Sequence, residues 1–239
     1  ASINDDTISF IEAGTGTGKT FAYLIPAILW AVKNGERILV STHTKNLQEQ
    51  IFQRDLPDLL RILGPRAAGI RGAILKGRSN YLCLRKRDAV RAGEATSPSF
   101  AGMDDPEMKR LLAWSDVTET GDIADLSPAP SRDVWEEVED KADTCLRMRC
   151  ELFKTCHYYN SRRAAAAANI IISNHALTFT DLALRGRSDG GAGLMPGYTK
   201  IVLDEGHHIE NAASSVLTQT TSRRGLLLTL SRLFAEGAD

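Results

Sequence analysis

Nothing in this chain constrains its fold more than the nine residues Glu12 to Thr20, EAGTGTGKT. They follow a short apolar run, Ile8 to Glu12, and precede a stretch with helical character. Glycines at 14, 16 and 18 let backbone N–H groups converge on phosphate oxygens that a Cβ would hold off. Lys19 then brings a positive charge to β- and γ-phosphates, Thr20 a hydroxyl ligand for Mg²⁺, and the helix N-terminus its dipole. Strand, glycine loop and helix in this order predict a nucleotide site. Ala13, Gly14, Thr15, Gly16, Thr17, Gly18, Lys19 and Thr20 are its expected lining for ATP and Mg²⁺, with Ala13 standing where the first glycine usually lies.

The surrounding pattern predicts an α/β fold. Thr20 to Val32 is apolar on most sides and reads as a buried helix with a local kink at Pro26. Asn34-Gly35 is a turn signal, Arg37 to Ser41 a β-branched strand, and Lys45 to Leu60 a helix interrupted near Pro57. Such alternation implies parallel strands joined by crossovers. It breaks from about Lys76 to Arg163, where there is no long strand, two short helical stretches (Pro106 to Ser115 and Val134 to Ala142) and every cysteine of the chain. That stretch reads as an insertion with its own organising centre, too poor in apolar residues to fold alone. Strands resume at Asn169 to Ser173 and Lys200 to Asp204. Ala164 to Ala168 is expected to be helical, and the glycine-rich Gly186 to Gly197 a mobile loop.

No stretch approaches the roughly 20 apolar residues needed to cross a bilayer, and the polar, acidic first residues do not resemble a signal peptide. A cytoplasmic setting without a membrane partner is expected. The formal net charge of −1 excludes a bulk-basic nucleic-acid binder. Its distribution is uneven, however. Lys76, Arg78, Arg85, Lys86, Arg87 and Arg91 surround Cys83, and Arg147, Arg149, Lys154, Arg162 and Arg163 surround the other cysteines. Either run alone would be a solvated face, but two runs flanking the same four cysteines predict a phosphate-binding surface.

A second acidic motif completes the nucleotide chemistry. In IVLDEGHH, Ile201 to His208, an apolar strand delivers Asp204 and Glu205 at its C-terminal end, where ligand sites of open α/β sheets lie. Alone, such a pair often only caps the next helix. Beside the glycine loop, Asp204 is placed to hold Mg²⁺ and Glu205 to orient or deprotonate the attacking water. The four cysteines are Cys83, Cys145, Cys150 and Cys156; 61 residues intervene before the second, then four, then five. Disulfides are rare in a cytosolic ATPase. Zinc sites usually show close CxxC pairs, absent here, and four thiolates also hold a cubane cluster. Spacing alone leaves zinc and the cubane both open.

Several motifs together resemble one family. DEGH, Asp204 to His207, resembles the DEAH box of superfamily-two helicases with glycine in place of alanine, and Ile209-Glu210-Asn211 extends it as in DinG-like proteins. STHTKNLQEQ, Ser41 to Gln50, resembles helicase motif Ia, and SNHAL, Ser173 to Leu177, the segment preceding the DEAH box in DinG-like helicases. The YLC at Tyr81 to Cys83 followed by C-x4-C-x5-C resembles the iron–sulfur domain of DinG, a site that XPD carries with different spacing. The chain is thus identified as a member of the DinG/XPD-like helicases, of the bacterial DinG type.

The resemblance implies a RecA-like P-loop NTPase parallel sheet with helices on both faces, carrying a mostly helical iron–sulfur insertion. It divides the chain into a first motor part at 1–75, the insertion at 76–163, a second motor part at 164–212, and the start of an Arch-like segment at 213–239. It implies a [4Fe–4S] cluster on Cys83, Cys145, Cys150 and Cys156 and a role for His207 in coupling hydrolysis to the nucleic-acid side. Thr42, Thr44, Lys45 and Gln50 would meet the backbone of a bound strand, where the plainer reading has Thr and Gln capping a helix. Tyr81, Tyr158 and Tyr159 offer rings for base stacking, against the plainer expectation of packing near the cluster. The implied activity is that of an ATP-dependent DNA helicase moving 5′→3′ on single-stranded or forked DNA, monomeric, in the bacterial cytosol or nucleoid, with no protein partner legible. The fragment alone is expected to bind nucleotide weakly and unwind nothing. A P-loop ATPase that remodels proteins, and a metal-stapled nucleic-acid binding module, are the competing classes.

Overall fold

In the computed structural model, which describes residues 3–5, 7–14, 16–93, 104–187 and 193–218, the elements follow one another as an alternation interrupted once. The chain forms α1 (Lys19–Asn34), β1 (Ile38–Thr42), α2 (Lys45–Gln50), a π-helical turn (Ile51–Asp55), α3 (Leu56–Leu63) and β2 (Gly72–Ile74). It continues with α4 (Leu84–Arg91), α5 (Pro106–Ser115), α6 (Arg132–Val138) and α7 (His157–Ala166). Last come β3 (Ile170–Asn174), α8 (His175–Arg187), β4 (Lys200–Leu203) and α9 (Ile209–Leu217). None of the helices searched among the described residues is long and apolar enough to cross a membrane.

The strands form one parallel sheet in the order β2-β3-β1-β4, with Val40 opposite Ile172 on one side and Val202 on the other. Side chains alternate between its faces. Ile38, Val40, Ile170 and Ile172 pack against Leu24, Ala27 and Ile28 of α1 and Leu56 and Leu59 of α3. Leu39 and Ile171 point the other way, onto Leu75, Ala165 of α7 and Leu177 of α8. Burial on both faces is why ILVST and IIISN read as continuous apolar runs. The parallel α/β architecture with helices on both faces is therefore as expected.

Several local expectations need correction. Residues 7–14 form no strand, and Ile8, Phe10 and Ile11 are 83–97% exposed. Apolar character alone does not make a strand; the backbone must find a ladder, and this segment pairs with none of the four strands. Helix α1 buries one face, not all: Leu29 and Val32 remain about 40% exposed. Its end is as read, with Gly35 at φ 65 and its N–H on the Ala31 carbonyl at 3.0 Å. The break near Pro57 is the π-helical turn, which widens the backbone just before a ring that cannot donate an N–H. Helix α6 stops at Val138 rather than Ala142, because Glu139 turns extended and bridges Leu82. Helices α4 and α8 and the three-residue β2 had no counterpart in the sequence pattern. The alanine run closes a helix that begins at His157. The expected loop Gly186 to Gly197 includes 188–192, and the Arch-like segment includes 219–239, both outside the described residues.

The stretch between β2 and β3, read above as an insertion, also differs from expectation. It owns a hydrophobic core, in which Leu82, Val90, Met108, Leu111, Leu112, Leu126, Val134 and Val138 surround Trp135. Trp135 is 1% exposed, and its Nε1 donates to the Ser79 carbonyl at 2.7 Å.

Candidate nucleotide site and cysteine pocket

The glycine loop has the conformation its residues allow. Gly16 and Gly18 sit at φ 75 and φ 80, a left-handed region costly for any residue with a Cβ. Thr17 Oγ1 donates to the Gly14 carbonyl at 2.8 Å, closing the turn. Helix α1 begins at Lys19 with no side chain capping its first amides, which therefore remain free to meet an anion. Thr15 lies outside the described residues.

The acidic pair comes to this loop from the far end of the chain. Lys19 Nζ stands 3.6 Å from Glu205 Oε1, and His207 Nδ1 stands 3.6 Å from Glu205 Oε2. Glu205 has φ 52 and ψ 52, left-handed for a residue that is not glycine. Such strain costs about 1–3 kcal/mol and persists only where the surroundings over-determine it. Asp204 is held on three sides. Tyr23 Oη donates to its Oδ2 at 3.1 Å, the Glu205 N–H to its Oδ1 at 3.0 Å, and its own N–H reaches the Ser41 carbonyl at 2.8 Å. Burial, then the charge of Asp204, pushes the Tyr23 phenol up. Tyr23 was missed in the sequence; the signal lay in its place three residues after Thr20, on the same face of α1.

His175, which the sequence reading took only as part of a family segment, is 1% exposed. Its Nδ1 lies 2.7 Å from Ser41 Oγ and its Nε2 2.8 Å from the Asp204 carbonyl, and burial pushes its pKa down.

The expected strand-contacting residues do not all stand together. Thr42 is fully buried, so its hydroxyl is not available to a phosphate; the strand that was to present it also encloses it. Thr44 is exposed, yet its Oγ1 accepts the Leu47 N–H at 3.2 Å, the capping role of the plainer reading. Lys45 is exposed beside it at the same sheet end as Asp204. Gln50 is exposed at the far end of α2, 3.4 Å from Asp55. A residue not anticipated, His43, stacks on His208 with ring centroids 3.7 Å apart.

Cys83, Cys145, Cys150 and Cys156 are all free and line one shared pocket, together with Asp140, Arg147, Phe153 and Tyr159. Cys83 and Cys156 each sit at the N-cap of a helix, where exposed amides favour a thiolate, while burial pushes both thiols up. The Arg147 N–H donates to Cys145 Sγ at 3.4 Å. Among the described residues no three His, Cys, Asp or Glu are drawn tightly enough to grip one ion. Four sulfurs around a shared pocket, with an amide aimed at one of them, fit the donor set of an iron–sulfur cluster.

The basic surface expected around Cys83 is largely consumed internally. Lys76 is 1% exposed, held by Glu49 of α2 and Asp122 of the insertion; burial pulls its pKa down, but those two carboxylates outweigh burial and leave it raised. Arg78 pairs with Asp140 and lies 3.9 Å over the Tyr158 ring, Arg91 pairs with Asp116, and Lys86 is buried. Polar side chains close together in sequence found partners distant in sequence. Arg147, Arg149 and Lys154 of the second run stay exposed. Tyr81 and Tyr158 are buried, matching the packing expectation rather than base stacking.

A parallel sheet with a glycine loop and an acid pair facing each other at 3.6 Å defines a RecA-like motor domain of the helicase class. Comparison with known proteins agrees: residues 2–73 match the DEAD/DEAH box helicase family and residues 118–226 match DEAD_2. The chain is 36% identical over 218 residues to the ATP-dependent DNA helicase YoaA of Haemophilus influenzae, covering 90% of this chain and 32% of that protein. It is 36% identical over 220 residues to the ATP-dependent helicase DinG of Mycobacterium tuberculosis, covering 86% and 32%. Over 226 residues it is 34% identical to the 3′-5′ exonuclease DinG of Bacillus subtilis, covering 94% and 23%. The chain therefore belongs to the DinG-type DEAD/DEAH-box helicases. It spans about a third or less of the length of these relatives.

Proposed function

We propose that this chain is the first motor part of a protein that couples ATP hydrolysis to 5′→3′ movement on single-stranded DNA and opens forked DNA as a monomer in the bacterial cytosol. The observation that carries this reading is the approach of Lys19 to Glu205, which joins the phosphate loop to the end of β4. Ala13 to Thr20 hold the triphosphate, Thr20 and Asp204 hold Mg²⁺, and Lys19 leaves Glu205 to meet the γ-phosphate. Glu205, freed of that pairing, orients and deprotonates the attacking water. His207, against the other Glu205 oxygen, reports the state of the site to the nucleic-acid side. Thr44 and Lys45 are the motif Ia residues best exposed for a strand backbone.

Cys83, Cys145, Cys150 and Cys156 would hold a [4Fe–4S] cluster, which when bound would tie the segment carrying the last three to the start of α4. The insertion occupies 76–163, between motor parts at 1–75 and 164–212, with the Arch-like segment following.

The test is oligo(dT)-stimulated ATP hydrolysis and forked-duplex unwinding by the full protein. Lys19→Ala should abolish nucleotide binding and turnover, and Glu205→Gln should abolish turnover with binding retained. Undiminished hydrolysis in both variants would sink the assignment. Iron content after anaerobic purification, with Cys150→Ser beside the parent, tests the cluster: about four irons lost in the variant supports it, and stoichiometric zinc in the parent rejects it.

A further inference from the structure

Three strand ends meet at one buried side chain. Ser41 is the last residue but one of β1, Asn174 ends β3, and Asp204 follows β4; His175 touches the first and last of these and is the direct successor of the second. Ser41, His175 and Thr178 are all 0–1% exposed.

The chemistry of the partners sets every proton in this cluster. The Asp204 carbonyl can only accept, so Nε2 of His175 carries the hydrogen and donates to it at 2.8 Å. Nδ1 is then an acceptor, and Ser41 Oγ donates to it at 2.7 Å. Ser41 Oγ has no second proton to give, and it accepts from Thr178 Oγ1 at 3.0 Å. The result is a one-way relay from Thr178 to Ser41 to His175 to the backbone of Asp204, with each donor matched to one acceptor.

The end of that relay is the peptide between Asp204 and Glu205. Its oxygen is fixed by His175 and its N–H by Asp204 Oδ1. Two anchors on one peptide plane settle the orientation from which Glu205 departs at φ 52. The left-handed turn needs such over-determination, and it is this turn that aims the Glu205 carboxylate at Lys19.

We propose that His175 is a positioning residue for hydrolysis. It clamps the Asp204–Glu205 peptide so that Glu205 faces the γ-phosphate, and through Ser41 it ties that peptide to the strand leading into Thr44 and Lys45. The inference rests on the ATPase reading above and names a residue that this reading does not use. Its action is on the geometry of the base and not on nucleotide affinity, so it separates kcat from KM.

The experiment measures oligo(dT)-stimulated ATP hydrolysis by the full protein carrying His175→Ala, His175→Gln, His175→Asn or Ser41→Ala, with each thermal midpoint recorded. His175→Ala should lower kcat about 100-fold, the order of loss a misplacement near 1 Å brings, while KM for ATP moves less than about twofold. His175→Gln places an amide near the Nε2 position and should recover most of the rate. His175→Asn reaches only the Nδ1 side and should not. Ser41→Ala, which keeps the imidazole but removes its donor, should fall between and guards against a misfolded His175→Ala. Unchanged kcat in all four variants would overturn the proposal. Equal rates for Gln and Asn, or losses that track the thermal midpoint with KM rising in parallel, would overturn it as well. A parent protein that does not hydrolyse ATP would instead bring down the ATPase reading beneath it.

Discussion

The two halves of the stretch between β2 and β3 are organised by different physics. Its described residues between Leu82 and Val138 fold as a small domain does, with eight apolar side chains closing on Trp135. From Asp143 to Cys156 there is one short 3₁₀ turn, Leu146 and Met148 are 44% and 84% exposed, and the three thiols of this stretch share their pocket with Cys83. One half buries its apolar residues around a ring; the other leaves Leu146 and Met148 to solvent and keeps Leu152 and Phe153 half-buried beside its sulfurs. The apolar core thus accounts for the fold of the first half without reference to the cysteines. The same contrast explains the basic residues, since those near the apolar core are paired internally and those of the cysteine segment are exposed.

That comparison can be broken by experiment. The largest effect is expected at Trp135→Ala, which removes the ring at the centre of the apolar half and should destabilise the protein by about 3–5 kcal/mol in chemical denaturation. A change under about 1 kcal/mol would mean that this half does not rest on its core. Next comes Lys76→Met, which strands Glu49 and Asp122 against one another and should lower stability by about 3 kcal/mol. The Asp122→Asn, Glu49→Gln double variant of the Met form should regain much of it. Cys150→Ser should leave the Trp135 core protected in hydrogen exchange while protection at 143–156 falls about tenfold or more, a local opening rather than a global one. Loss of protection across both halves would show that the thiols hold the whole insertion. The smallest effect belongs to Met148→Lys at an exposed site, within about 0.5 kcal/mol by thermal denaturation.

What was legible in the sequence was chemistry carried by neighbours along the chain. The glycine loop, the acids after β4 and the runs ILVST and IIISN each contain their own explanation, and each stands where expected. Contacts between residues far apart were not legible. Tyr23 reaches Asp204 across 181 positions and His175 reaches Ser41 across 134, and neither bond leaves a trace in local pattern. Burial misled in two directions: Thr42 has the hydroxyl a phosphate needs but lies inside the sheet, while Ile8 to Glu12 has strand character with no ladder to join. Lys76 read as part of a basic face because charge counts say nothing about who answers each charge. The cysteines were legible as a set, but the apolar core beside them was not, because its members are scattered from Leu82 to Val138.

Strand β4 has a further consequence. Among the described strands it is stitched to a neighbour along one margin only, through β1. The acids of the nucleotide site follow this strand, where the ladder to β1 continues through the Asp204 N–H. The side-chain bonds that Tyr23 and His175 make to Asp204 act as two further tacks at this corner. The accuracy with which Glu205 is presented then draws on those two tacks as well as on the ladder to β1.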